Sequence, residues 1–373
     1  MSLSALKNRP PLAGHAAPDD GAALFLNEID AIIQRFGPGW AHLRGARLFI
    51  TGGTGYFGRW LLRTLARANE TLDLDLQATA LTRSPERFAR IEPDLARAPS
   101  IHLHQGDVRG FSFPSGDFSH LIHAAATSAE ATFHHREDPL TKFDTTIDGT
   151  RRTLDFASSH GIRRLLMLSS GSFYGQLLPE YDAYPEDYPI APTPTNLEAA
   201  VGHAKRAAEF LCAAYADRHD LSFSVARCFS FVGPHLPLDI HYAIGNFIRD
   251  ALWKESITVA GDGTPIRSYM YTGDLMVWLL TLIVHGAPGR AYNVGSDRQI
   301  SIGELARKVG QTLCPAKEVH ILKKTAGPAT RNIYLPDIRR ARDELGLDVW
   351  TPLERAIELT ASTALESPNR GTP

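Results

Sequence analysis

The strongest constraint on this chain is Thr51-Gly52-Gly53-Thr54-Gly55-Tyr56-Phe57-Gly58. The short apolar run Arg47–Thr51 leads into it, and a segment of helical spacing, Trp60–Ala68, leads out. A tight turn needs residues that tolerate positive φ. A pyrophosphate needs close backbone approach and free N–H groups at a helix N-terminus. A glycine facing the strand also lets helix and sheet pack closely. Glycines are common in turns, so Gly52, Gly55 and Gly58 alone say little. Their position between strand and helix points to a dinucleotide-binding turn formed by Gly52, Gly55, Tyr56, Phe57 and Gly58.

The alternation continues. Leu76–Thr82, Ile101–His104, His120–Ala124, Leu165–Ser169 and Phe223–Phe229 read as strands, with helices over Thr146–Ser159 and Glu198–Ala216. Such alternation implies a parallel sheet with helices on both faces. The expected fold class is therefore α/β, a Rossmann doubly wound parallel sheet with a smaller C-terminal substrate-binding lobe. We divide the chain into an N-terminal extension, 1–46, a dinucleotide-binding domain, 47–235, and a mainly substrate-binding lobe, 236–373. Part of 270–300 is expected to return to the first domain. Phe25, Ile29, Ile32, Ile33 and Phe36 have helical spacing, so the extension reads as a packing helix closed by Gly37-Pro38-Gly39.

Composition narrows the class. A net charge of −2 and the lack of a basic stripe argue against a nucleic-acid partner. The apolar stretches are too short to span a membrane. The N-terminus carries no secretory pattern, so a cytoplasmic location is expected. Three cysteines, Cys212, Cys228 and Cys314, without CxxC spacing suggest neither disulfides nor zinc. His134-His135 with Glu137-Asp138 lacks an i, i+4 histidine pair, so no metal is expected.

The second strand ends Ala80-Leu81-Thr82-Arg83-Ser84. An NAD site usually places a carboxylate here for the ribose 2′-hydroxyl. Arg83 instead favours a 2′-phosphate. NADP is therefore preferred over NAD, with NAD retained as the alternative.

Further motifs appear in order. Gly106-Asp107-Val108, His123-Ala124-Ala125-Ala126 and Asp148-Gly149-Thr150 precede Ser169-Ser170-Gly171-Ser172-Phe173-Tyr174-Gly175. Then follow Val201-Gly202-His203-Ala204-Lys205, Arg227 to Pro234, Gly245-Asn246 and Gly261-Asp262-Gly263-Thr264-Pro265-Ile266-Arg267. Arg331 precedes Pro336-Asp337. From about 47 to 360 this order resembles the extended short-chain dehydrogenase/reductase family of NAD(P)-dependent nucleotide-sugar epimerases, dehydratases and decarboxylases. The wording is similar to that of UDP-glucuronate decarboxylases and dTDP-glucose 4,6-dehydratases.

The resemblance implies that Asp107 and Val108 contact adenine, and that Ala124, Ala125, Ala126 and Phe229 line the cofactor. It implies that Lys205 holds the nicotinamide ribose. Ser128, Ser172, Tyr174, Ser230, Asn246, Arg267 and Arg331 fall on the substrate side, the two arginines gripping a pyrophosphate. A homodimer through paired helices is also implied.

The family's chemistry is hydride transfer at the sugar. A tyrosine, with a lysine four residues on, moves the proton, and a serine or threonine orients the substrate oxygen. Ser170 and Lys205 are present, but Val201 stands at the tyrosine position and cannot carry a proton. Two origins stand open, a natural change and an engineered one. Tyr174 and His203 are weak substitutes, and a substrate group or water is a further route. Cofactor binding does not depend on Val201, so a loaded protein with weak turnover is expected. Gly171 and Ser172 occupy positions where dehydratases carry acids, which places epimerase first, dehydratase or decarboxylase second, and 4-keto reductase third. The alternative from another class is a catalytically dead NADP-binding sensor or partner subunit.

Overall fold

The computed structural model describes residues 20–126, 137–240, 242–323 and 331–366. Helix α1, Asp20–Phe36, precedes β1, Arg47–Thr51, and α2, Tyr56–Leu72. Strand β2, Gln77–Thr82, leads through two short helices, α3 (Pro85–Ile91) and α4 (Pro93–Arg97), to β3, Ile101–Gln105. Then come β4, His120–His123, α5, Pro139–Ser159, β5, Arg164–Ser170, α6, Ala200–Arg218, and β6, Ser222–Cys228.

These six strands form one parallel sheet, which a seventh strand, Arg290–Val294, completes beside β6; the order is β3-β2-β1-β4-β5-β6 and then that strand. Both faces are covered, so the strands are apolar along their length: β1 and β5 are each buried at every position but one or two. The order reverses direction between β1 and β4. That reversal opens a crevice beyond the strand C-termini, where ligands of such sheets bind. The expected α/β doubly wound sheet is present.

The described C-terminal part carries short strand pairs. Phe231–Val232 pairs with Met270–Tyr271, Ile257–Val259 with Val319–Ile321, and Ile266–Arg267 with Ile300–Ser301. Between the sheet's last two strands runs the helix Thr272–His285, buried on nearly all sides. It delivers the chain back to the main sheet. Helix α1 is a packing element, as its spacing predicts. Phe25, Ile29, Ile32, Ile33 and Phe36 are all buried, and Phe25 meets Trp60 edge-on at 4.8 Å.

Helix α5 starts earlier than its apolar periodicity predicts. Asp138 caps it by accepting from the Thr141 N–H, and Pro139 occupies the first turn. Cap and proline are the physical start signal; the apolar face begins only later. His134 and His135 lie outside the described residues. Among the described residues no group of three or more His, Cys, Asp or Glu side chains could hold a metal ion, and no helix is long and apolar enough to cross a membrane.

Candidate active site

The glycine turn has the geometry that a pyrophosphate requires. Gly52 has φ +72°, and a Cβ there would lie 2.6 Å from the Ala124 carbonyl. The turn therefore touches the chain leaving β4, at the point where the strand order reverses. Gly55 caps α2 and donates its N–H to the Gly52 carbonyl at 3.0 Å. A Cβ on Gly58 would collide with the Gly52 and Gly53 backbone. The side chains of Tyr56 and Phe57 are engaged elsewhere. The Tyr56 hydroxyl reaches the Gly233 carbonyl at 3.1 Å and Thr272 Oγ1 at 2.7 Å. Phe57 packs edge-on against Phe231 at 5.0 Å. At the turn these two residues offer main-chain groups only, and Tyr56 ties the sheet to the start of the Thr272–His285 helix.

His123 fixes the floor of the crevice. Thr150 donates its hydroxyl to the Thr146 carbonyl at 2.7 Å, so at 3.1 Å it can only accept from His123 Nε2. His123 Nδ1 then accepts from the Thr51 hydroxyl at 2.8 Å, and Thr51 Oγ1 accepts from the Ala125 N–H. Burial and nearby Lys205 hold the imidazole neutral, with its pKa lowered to about 3. One neutral tautomer thus locks the two strand ends that frame the cofactor crevice.

On the far side of β1, Asp107 is bound by Arg109 at 2.9 Å, which with nearby Arg83 keeps its carboxyl below the usual range. Val108 packs where Gly149 has no Cβ, which explains the glycine in Asp148-Gly149-Thr150. Arg83 is exposed at the end of β2. Ala124 and Ala125 are half-buried and Ala126 exposed.

Strand β5 ends in two serines that point to opposite faces, as successive strand residues must. Ser169 donates to Glu209 at 2.6 Å on the helix side. Ser170 faces the cleft and accepts from both the Ser172 N–H, at 3.1 Å, and the Ser172 hydroxyl, at 2.9 Å. Lys205 is buried, and its Nζ donates to the Leu168 carbonyl at 2.7 Å. Burial lowers its pKa to about 8. Val201 stands one turn earlier on the same side of α6.

Tyr174 is built into the scaffold. Its hydroxyl donates to Asn293 Oδ1 at 2.7 Å and accepts from Arg227 at 2.9 Å. Burial raises its pKa to about 12. Arg227 in turn pairs with Glu209 at 2.8 Å and lies 3.6 Å over the Phe173 ring.

The substrate-side candidates divide. Arg267 is half-buried among Tyr184, Tyr269 and Tyr334, and its Nη1 donates to the Ile266 and Asn332 carbonyls. Ser230 and Phe229 border the same region: the Ser230 carbonyl accepts from the Met270 N–H, and the Phe229 ring lies 4.7 Å from that of Tyr334. Asn246 Oδ1 instead accepts from Arg249 at 3.1 Å. Arg331 donates to the carbonyls of Leu178 and Tyr181 and pairs with Asp182, so it clamps a loop. Ser128 lies outside the described residues.

Sequence reasoning missed Tyr334, whose hydroxyl sits against Gly171 next to Ser170, and Asn293 and Glu186. Asn293 donates to the Tyr184 and Asp337 carbonyls, and Glu186 accepts from the Asn293 N–H. None carries a local signal, because each reaches the cleft through crossovers distant in sequence.

Residues 48–295 match the NAD dependent epimerase/dehydratase family. The chain belongs to that family. Its members are NAD-dependent enzymes of nucleotide sugars, which agrees with the glycine cradle and with Ser170 at the strand end. A UDP-glucuronic acid decarboxylase 1 of Xenopus tropicalis is 28% identical over 321 residues, 84% of this chain and 71% of that protein. The UDP-glucose 4-epimerase of Thermotoga maritima, solved with UDP-glucose, has a TM-score of 0.70 at 19% identity, covering 86% of this chain and 99% of that one. The dTDP-glucose 4,6-dehydratase DesIV of Streptomyces venezuelae, solved with NAD, has a TM-score of 0.69 at 21% identity, covering 86% and 97%. These two family structures share the fold of this chain.

Proposed function

We propose that this chain binds a nicotinamide dinucleotide and a nucleotide sugar and catalyses hydride exchange at the sugar, most simply as an epimerase. The observation that supports the reading is Gly52 lying against Ala124, at the end of β1 and β4, with Ser170 ending the adjacent parallel strand β5 on the same edge of the sheet. A pyrophosphate fits there because the turn has no Cβ atoms in its way and opens on the N-terminus of α2. Gly52, Gly55 and Gly58 would hold the phosphates and Lys205 the nicotinamide ribose. A bound dinucleotide supplies hydride acceptance and return. Ser170 borders the sugar site, and Arg267 faces the diphosphate.

The reaction class follows from Gly171 and Ser172. Neither is an acid, and the Ser172 hydroxyl is committed to Ser170. Epimerisation needs no acid there. The 28% identity to a decarboxylase favours a second reading, loss of carboxylate from UDP-glucuronate. Val201 removes the usual proton route and slows the enzyme. The exposed Arg83 favours NADP over NAD through a 2′-phosphate contact.

Helices α5 and α6 pack side by side, and Leu140 (70%) and Phe210 (71%) are largely exposed on them. Such apolar exposure supports pairing with a second copy.

The decisive experiment incubates the protein with NAD or NADP and a panel of UDP-, dTDP-, GDP- and CDP-sugars, read by mass and NMR. A new stereoisomer of unchanged mass identifies an epimerase, and loss of carbon dioxide or water identifies the other two. Dinucleotide binding without binding of any nucleotide sugar would leave the sensor reading instead.

A further inference from the structure

The cleft holds a phenol that does not come from α6. Tyr334 lies in a segment pinned from two sides. Its N–H donates to the Ile266 carbonyl at 3.0 Å, the Ile266 N–H donates to Asn332 at 2.8 Å, and Pro336 bridges to Tyr184. The ring is packed on Phe229 at 4.7 Å. A Cβ on Gly171 would stand 2.5 Å from the Tyr334 oxygen and 2.9 Å from the Phe229 ring. Gly171 is thus the seat on which the phenol rests, and any side chain there would unseat it.

The hydrogen-bond directions are set by elimination. Ser170 Oγ receives two donors from Ser172, which fills both of its lone pairs. Its own hydrogen is left to donate, and the Tyr334 hydroxyl is seated next to it, against Gly171.

We infer that Tyr334 is the catalytic residue that moves the proton in place of the tyrosine absent at Val201, with Ser170 orienting it. The inference deepens the nucleotide-sugar reading and rests on it. Once the phenol has released its own proton to solvent, the Tyr334 phenolate would take the hydroxyl proton as the sugar carbon passes its hydride to the dinucleotide and its hydroxyl becomes a carbonyl. When hydride returns to that carbon, the phenol gives a proton to the carbonyl oxygen. Burial, with Cys228 and Tyr184 nearby, raises the phenol above its ordinary range, and Ser170 and the charge of Arg267 act the other way. The resting group is a proton donor, with two neighbours placed to support its phenolate form.

The test uses four full-length proteins: wild type, Tyr334→Phe, Val201→Tyr and the double variant. Each is assayed for turnover and for nucleotide-sugar and dinucleotide affinity by calorimetry. Expected are slow wild-type turnover, a further loss of about 10²–10⁴-fold in Tyr334→Phe at near-unchanged affinities, and recovery in the double variant. Tyrosinate ultraviolet absorbance gives a readout apart from activity. One titration should vanish in Tyr334→Phe, and in wild type it should move to lower pH when NAD binds. Turnover of Tyr334→Phe within threefold of wild type, or above it, overturns the assignment. So does an inactive wild type whose Val201→Tyr variant works, and there the nucleotide-sugar reading survives. If neither protein acts on or binds any nucleotide sugar, that reading itself fails and takes the assignment with it.

Discussion

Gly202 meets Ser172 backbone to backbone: a Cβ on Gly202 would collide with the Ser172 carbonyl and touch the Pro192 ring. The first turn of α6 therefore rests directly on the loop that feeds two hydrogen bonds to Ser170. Gly202→Ala must push the helix or the loop away. Overpacking of this kind costs about 1–3 kcal/mol. The expected outcome is a lowered urea midpoint together with turnover reduced more than dinucleotide affinity. A variant as active and as stable as wild type would show that the contact relaxes without moving Ser170.

The Arg227–Glu209 pair is nearly buried, at 8% and 11% side-chain exposure. Arg227 also donates to Tyr174 and to the Glu186 carbonyl. Removing one charge leaves the other buried without compensation, a loss of about 3–5 kcal/mol. Glu209→Gln should therefore lose most of the protein's stability margin in urea unfolding. Ser169 loses an ionised acceptor at the same time. A change below about 1 kcal/mol would mean that water reaches the guanidinium once the carboxylate is gone.

How much of this could be read in the sequence depends on what was local. Gly52, Gly55 and Gly58 announce themselves because one short turn between β1 and α2 contains all three. Ser170 and Lys205 are visible because each ends or lies within a regular element. Tyr334 is not, since its value comes from its N–H bond to the Ile266 carbonyl and from the missing Cβ of Gly171, neither of which has a periodicity. Arg331 illustrates the reverse. Its place before Pro336-Asp337 suggests a phosphate contact, whereas the fold spends it on the 178–182 loop. Tyr174 likewise sits at the catalytic strand end, but the crossover that brings Asn293 and Arg227 to it makes it structural.

His123 makes stability depend on acid. Its folded pKa is about 3 against an ordinary value of 6.5. The unfolded chain therefore takes up a proton first as pH falls, and stability is lost from pH 6.5 down toward 3. At pH 5 the loss from this residue is about 2 kcal/mol. His120, lowered to about 4 by burial and Arg164, acts in the same direction. Comparing urea unfolding at pH 7 and pH 5, His123→Gln should lose about 2 kcal/mol less than wild type. Equal losses would mean that the imidazole is already charged in the fold.

Lys205 is expected to trade stability for binding. Burial lowers its pKa from 10.5 to about 8, so at pH 7 the fold carries a desolvated ammonium. That difference is worth about 3 kcal/mol against the folded state. The hydrogen bond to the Leu168 carbonyl returns about 1 kcal/mol of it. The unfolded chain holds the proton up to pH 10.5 and the folded one only to about 8, so wild-type stability rises with pH across that window. Lys205→Met should be more stable than wild type at pH 7 by about 1–2 kcal/mol, and the advantage should fade from pH 8 to 10.5. The same variant should bind a nicotinamide dinucleotide at least about tenfold more weakly, since a charge-assisted hydrogen bond of about 1.5–3 kcal/mol is lost. Urea unfolding across pH, paired with calorimetric titration of NAD and NADP, measures both sides. A variant that gains stability while keeping full dinucleotide affinity would show that Lys205 serves the cleft's interior and not the cofactor.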